Sequence, residues 1–207
     1  MKGLSFAAIA TLCLATQAFA AEPPSIVGHW KSTQCEVRPG GGDQKYYVKR
    51  DFTYSKSDSK AVITFYMDAT CNEAQKMSRV VITGPYVVRS QPVTTAGATQ
   101  GASPAHFIFS TLKITPLADG FAQYLNTAAP GTCGTQKWAV GKEQDVTSTN
   151  GCSAVFSFNT CPWEQDVVKV VGDELFFGAR PASGGCNPDA THLPTELQVA
   201  LKRAPSH

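Results

Sequence analysis

Histidine is scarce in this chain: four among 207 residues, His29, His106, His192 and His207. None lies two to four residues from another. There is no H-E-x-x-H, no C-x-x-C and no cluster of acidic residues at ligand spacing, so no metal site is expected. A G-x-S-x-G nucleophile elbow is missing too. With so few histidines, a Ser–His catalytic pair has no local signature. Charged residues make up only 16% of the chain, with no run of either sign. That argues against nucleic acid or an anionic membrane surface as a partner. No apolar stretch reaches the ~18 residues that a transmembrane helix needs. No Asn-x-Ser/Thr sequon is present. These absences disfavour an enzyme, a metalloprotein and a nucleic-acid binder, and no cofactor is expected.

The first twenty residues have an order of their own. Lys2 precedes an apolar run from Leu4 to Leu14, and Ala18-Phe19-Ala20 follows as an A-x-A cleavage signal. This pattern reads as a secretory signal peptide spanning 1–20. Cys13 lies inside the apolar run rather than at its end, which argues against lipidation. The expected mature chain, 21–207, suits a single domain with a full core. Without Lys2 its balance is 17 basic to 16 acidic side chains. Six cysteines remain: Cys35, Cys71, Cys133, Cys152, Cys161 and Cys186. An even number in an exported chain implies disulfides and a secreted or periplasmic location. Six cysteines allow 15 pairings. The pairing favoured here is sequential, Cys35–Cys71, Cys133–Cys152 and Cys161–Cys186.

Short strand-like segments separated by Gly, Pro, Asn, Asp and Ser dominate the rest. They are Tyr46 to Tyr54, Ala61 to Met67, Arg79 to Thr83, Tyr86 to Arg89, His106 to Thr115, Trp138 to Thr147, Ala154 to Phe158, Val167 to Val171, Glu174 to Phe177 and Leu197 to Leu201. In His106 to Thr115, simple alternation puts Phe107 and Phe109 on one face and Ile108, Leu112 and Ile114 on the other. Gly172-Asp173 is a tight hairpin signal. Nine or ten strands at this spacing predict an all-β, antiparallel barrel or half-barrel, lipocalin-like in style and stapled by disulfides. Several strands are apolar on both faces, which favours a barrel over a two-layer sandwich. One segment breaks the pattern. Leu117, Phe121, Tyr124 and Leu125 recur at helical spacing after Pro116, predicting one short amphipathic helix that Ala128-Ala129-Pro130-Gly131 would stop. Gln91 to Pro104 reads as a loop of small polar residues.

Four motifs occur in order: Gly28-His29-Trp30 with Cys35-Glu36-Val37-Arg38-Pro39-Gly40; Leu112-Lys113-Ile114-Thr115-Pro116 with Leu125-Asn126; Cys133-Gly134, Trp138 and Gly141 before Gln144-Asp145-Val146-Thr147 and Thr149-Asn150-Gly151-Cys152; and Gly178 with Arg180-Pro181. Together they resemble the domain of the adenomatosis polyposis coli down-regulated protein family, over about 27–181. The resemblance implies a β-barrel with an apolar cavity. Animal members of that family carry two such domains and act as Wnt inhibitors by capturing the acyl chain on Wnt. For this chain it implies one domain, and a lipid or acylated protein as partner. The departures are the single domain, the lack of a C-terminal anchor and of a sequon, and Cys161 and Cys186 as additions to a four-cysteine core.

Two readings stay open for the side chains that carry chemistry. Glu36, Arg38 and Arg50 alternate with apolar neighbours, and inward-pointing charges must be paired. They form either an ion-pair network at a barrel end or, through an arginine fork, a contact with a ligand carboxylate or phosphate. Asp145 belongs either to the same network or to a polar turn, and His29 is expected at a strand end with a local hydrogen bond. Trp30, Phe65, Phe107, Phe109, Phe121 and Trp138 are either filled core or the lining of a ligand cavity.

Overall fold

The structure is a computed structural model, and it describes residues 22–39, 45–127, 133–152, 156–158, 161–180, 186–187, 189 and 191–205. The leader, the helix stop at Ala128 to Gly131, and His207 lie outside the described residues. The chain begins with β1 (Gly28–Ser32), β2 (Glu36–Pro39), β3 (Lys45–Tyr54) and β4 (Asp58–Tyr66). A short 3-10 turn at Glu73–Gln75 leads into β5 (Lys76–Val88), β6 (Ser103–Ile108) and β7 (Thr111–Pro116). The helix α1 (Asp119–Thr127) is followed by β8 (Gln144–Asp145), β9 (Gly151–Cys152) and β10 (Phe156–Ser157). The last strands are β11 (Trp163–Val171), β12 (Glu174–Phe177) and β13 (Leu201–Arg203).

Eight strands close into an antiparallel barrel in the order β3, β1, β13, β12, β11, β6, β5, β4 and back to β3. Closure removes the sheet edges that would otherwise invite pairing with other chains. β1 and β2 run one after the other along β3, opposite Asp51 to Tyr54 and Lys45 to Val48 respectively. They behave as one long strand interrupted at Thr33 to Cys35. Beyond the barrel, β7 and then β8 continue the sheet from the first half of β5.

The register fixes which side chains face in. Trp30 sits opposite Phe52, Phe52 opposite Ala61, and Ala61 opposite Ile82. Directly paired residues share a face, so these form one layer. One apolar cluster fills the barrel around Trp30, Phe52, Tyr54, Phe107, Leu175 and Phe177. Rings of Tyr54, Tyr86, Phe107 and Phe177 lie 5.2–6.3 Å apart, at separations where aromatic pairs attract beyond simple burial. A second cluster joins the inner face of β5 and β7 (Val80, Ile82, Leu112, Ile114) to α1 and to Trp138. The Cys133–Cys152 disulfide belongs to this second core. The other two bridges join Cys35 to Cys71 and Cys161 to Cys186, so the cysteines pair in chain order.

Several elements depart from simple pattern reading. Arg79 to Thr83 and Tyr86 to Val88 belong to one strand, β5, which passes through Gly84-Pro85 without turning and ends before Arg89. Conversely, His106 to Thr115 is two strands, broken at Phe109-Ser110. The break shifts the alternation by one residue. Phe107, Leu112 and Ile114 therefore all point inward, while Ile108 is exposed. Trp138 to Val140 is not a strand; Trp138 instead plugs the second core, donating its indole N–H to the Cys133 carbonyl at 3.0 Å. The last strand is Leu201–Arg203, and Leu197 makes only an isolated bridge to Gly178. From Ala154 to Phe158, the described strand is Phe156–Ser157. Gln91 to Ala102 is a turn-rich segment closed by reciprocal backbone bonds between Val93 and its 101–102 end, while Ser103 and Pro104, expected in the same loop, belong to β6. Tyr124 faces outward on α1, and Ala122 shares the buried face with Leu125.

Gly84 shows why β5 can serve two partners. Thr83 pairs with Thr111 of β7, and Tyr86 pairs with Phe107 of β6. Between them the chain must step from one neighbour to the other. A Cβ at Gly84 would collide with the backbone carbonyl of Ile108 and crowd Ser110. The Ser110 N–H meanwhile donates to the Thr83 carbonyl at 2.8 Å. Backbone cannot move aside as a flexible side chain can. Gly84→Ala is therefore expected to cost about 2 kcal/mol, in the range of core overpacking. A urea midpoint equal to wild type would show that β6 and β7 separate more easily than this packing implies.

Candidate functional site

Two features stand out on the inner face. The first is a group of charges held inside the barrel wall. Glu36 and Arg50 are 3% and 2% exposed. They meet as a fork: Arg50 Nε donates to Glu36 Oε1 at 2.9 Å and Arg50 Nη2 lies 2.9 Å from Oε2. Ser32 Oγ also donates to Glu36 and accepts the Arg50 backbone N–H at 2.7 Å. Arg50 Nη2 reaches the Val199 carbonyl at 2.6 Å. The guanidinium lies 5.7 Å from the ring centres of Phe52 and Phe177, a cation–π placement. Such a pair needs this many hydrogen bonds to offset desolvation.

Across the lumen, β11 contributes Glu164 and Asp166, which are both buried. Glu164 pairs with Arg180. Asp166 Oδ1 accepts the backbone N–H groups of Val167 and Gly178 at 2.7 and 2.8 Å. Its Oδ2 has no hydrogen-bond partner among the described residues. Burial raises the Asp166 pKa to about 7, opposed by those two amides and then by Arg50 and Arg38. Arg38 is mostly buried, and its ion pair among the described residues is a 3.6 Å contact with the already occupied Glu36. Burial and the neighbouring Arg50 push Arg38 down to about 10, against Glu36 and Asp166.

The second feature is an apolar groove of about 540 Å³ at the rim of β3, β4 and β5, roofed by α1. Tyr46, Met67, Met77, Phe121 and Tyr124 line it. Tyr46, Met67 and Tyr124 are exposed there. Methionines and aromatics make an adaptable apolar surface.

The residues singled out from sequence fall into three places. Glu36, Arg38 and Arg50 come together. His29 and Asp145 do not join them. His29 Nε2 lies 2.5 Å from Asp51 on the outer face, beside Lys31. Asp145 is exposed and accepts the Thr147 N–H at 2.9 Å; the Thr147 side chain and then this backbone bond hold its carboxyl below the usual range. Both sit on strand parities opposite to Glu36, so neither can reach it. Trp30 and Phe107 belong to the barrel core; Trp138, Phe65 and Phe121 belong to or border the second core; Phe109 borders both. Sequence reading missed Glu164, Asp166 and Arg180 as members of the charged group. A signal for the first two existed: they stand at i−4 and i−2 from Val168, in phase with the inward face of β11.

The profile of the family described as "Adenomatosis polyposis coli down-regulated 1" matches residues 7–207. The chain belongs to that family. The match continues well past Pro181, where the recognisable motifs stop. That further span includes β13, which fits between β1 and β12 and completes the barrel. Cys161 and Cys186 lie within the matched span. Among the described residues there is no group of three or more potential metal ligands, and no helix long and apolar enough to cross a membrane.

Proposed function

We propose that this family member is an exported, non-enzymatic binding protein that holds an acyl chain in the groove between α1 and the rim of β3–β5. The observation that carries the reading is the groove itself: apolar, open at the surface and lined by methionine and aromatic side chains. Its volume is in the range of small-ligand sites. The barrel interior below it is occupied by aromatic side chains, which favours the rim over the lumen as the acyl site. Three disulfides fit an oxidising compartment. Animal members of the family inhibit Wnt signalling, and the family resemblance extends the ligand class to acylated proteins such as Wnt.

The test is displacement of a fluorescent fatty-acid probe, paired with native mass spectrometry of the purified protein. Saturable binding is expected. Met67→Lys, at an exposed rim position, is expected to weaken it at least about tenfold, because a charge set against a hydrocarbon tail stays unsolvated. Absence of saturable displacement would sink the reading. Wild-type affinity in Met67→Lys would move the site away from this groove.

A further inference from the structure

The groove and the charged group are described above as separate features, but the strand register joins them. Arg38 and Tyr46 are direct cross-strand partners on β2 and β3. Their side chains leave the same face, about 5 Å apart at Cβ. Tyr46 is a wall of the groove. Arg38 thus stands one strand over from the acyl site, where the apolar lining gives way to charge. Among the described residues its own pairing is incomplete. Both oxygens of Glu36 are held by the Arg50 fork, and one also by Ser32. Among the described residues, that leaves Arg38 a single long contact for a guanidinium with five donors. Across the lumen, Asp166 also acts on Arg38 through its charge, but its Oδ1 is held by backbone amides.

We infer that Arg38 receives the carboxylate of a single-chain amphiphile whose tail lies in the groove. This rests on the acyl-binding reading and narrows it to ligands with a free acid head. Arginine's planar fork matches a carboxylate in two parallel hydrogen bonds, and such charge-assisted bonds are strong where water is scarce. The alternative partner on this face, Glu36, is already saturated, so a ligand anion would complete the cluster rather than compete with it. An acyl chain esterified to a protein lacks this charge. The site should therefore prefer a free fatty acid over an ester of equal length.

The experiment holds the tail constant and varies the head. Dodecanoate, dodecanol and methyl dodecanoate are titrated at pH 8 against a neutral fluorescent probe in the groove. In the wild-type protein, dodecanoate is expected to bind at least about tenfold more tightly than either neutral compound, the effect of one hydrogen-bonded charge. Arg38→Gln is expected to erase that ratio while leaving dodecanol affinity as it was. Equal affinity for the three heads in wild type would overturn the headgroup inference and leave the acyl groove standing. A preference that survives Arg38→Gln would overturn it as well. Failure of all three compounds to displace the probe would overturn the acyl reading, and the inference with it. If Arg38→Gln does not fold, dicarbonyl modification of wild-type Arg38, read by mass spectrometry, decides the matter. Protection by dodecanoate but not dodecanol supports the contact, and equal modification rejects it.

Discussion

Arg50→Ala is expected to destabilise the protein by about 3–5 kcal/mol, enough to unfold a marginal domain. The guanidinium is 2% exposed. It carries both bonds to Glu36, one to the Val199 carbonyl, and stacks against Phe52 and Phe177. Val199 lies just before β13, so the same side chain ties β3 to the segment that closes the barrel. Removing it strands Glu36 in a buried site with, among the described residues, Ser32 and the distant Arg38 as partners. The penalty is that of an orphaned charge and not the net value of the pair. Replacing both partners, as Glu36→Gln with Arg50→Met, is accordingly expected to recover more than half of the loss. Arg50→Lys is expected to fall between, because a point charge cannot form the fork. Urea unfolding at constant m-value measures all three. A loss under about 1 kcal/mol for Arg50→Ala would mean that water reaches Glu36 in the native state.

The stability difference between wild type and Asp166→Asn is expected to change with pH by a few kcal/mol. In the unfolded chain Asp166 ionises near pH 4; in the native protein burial holds its proton until about pH 7. Between those values the native state binds more protons than the unfolded state, so the stability contributed by the neutral acid declines as pH rises. The contribution is complete below about pH 4, falls through the interval and is gone above about pH 7. At ~1.4 kcal/mol per pH unit the ceiling is about 4 kcal/mol. Two backbone amides, then Arg50 and Arg38, already favour the anion and limit the shift. Arg180 is paired with Glu164, and the Tyr54 phenol is pushed well above its ordinary range, by burial first and then by the Asp166 charge. Asparagine keeps the Oδ1 acceptor for Val167 and Gly178 and does not titrate. Relative to it, wild type should lose stability from pH 4 to pH 7 and run parallel above pH 8. Parallel curves throughout would show that Asp166 is ionised over the whole range.

The barrel class, the short helix and the presence of disulfides were legible because each rests on a local or countable signal, whereas the cysteine count alone left 15 pairings open. β4 shows this well: Ala61 to Tyr66 is β-branched and aromatic, and forms a central strand. The breaks were less legible. Gly84-Pro85 looks like a turn in sequence, yet β5 crosses it as one strand because two different neighbours take its two halves. Phe109-Ser110 looks like strand, yet the alternation slips there, since β6 and β7 leave opposite ends of β5. Neither fact belongs to the segment itself; both come from tertiary pairing. The charged group was half legible. Glu36, Arg38 and Arg50 sit close in sequence on two paired strands. Asp166 and Arg180 arrive from the far wall, and only barrel closure brings them near. His29 and Asp145 share the chemistry of the group but not its parity, and parity decides which face a strand residue occupies.

The meeting of β1 with β13 has a temporal consequence. Trp30 stands opposite Arg203, more than 170 residues further along the chain. Contacts of such separation form slowly, because a long loop must close before any pairing rewards it. The free edges of β1 and β12 stay available until Leu201 to Arg203 docks, and a bare strand edge is a template for self-association. The protein should therefore close its barrel only after Leu201 to Arg203 have been synthesised, and deleting those residues should shift it from a closed barrel towards aggregates.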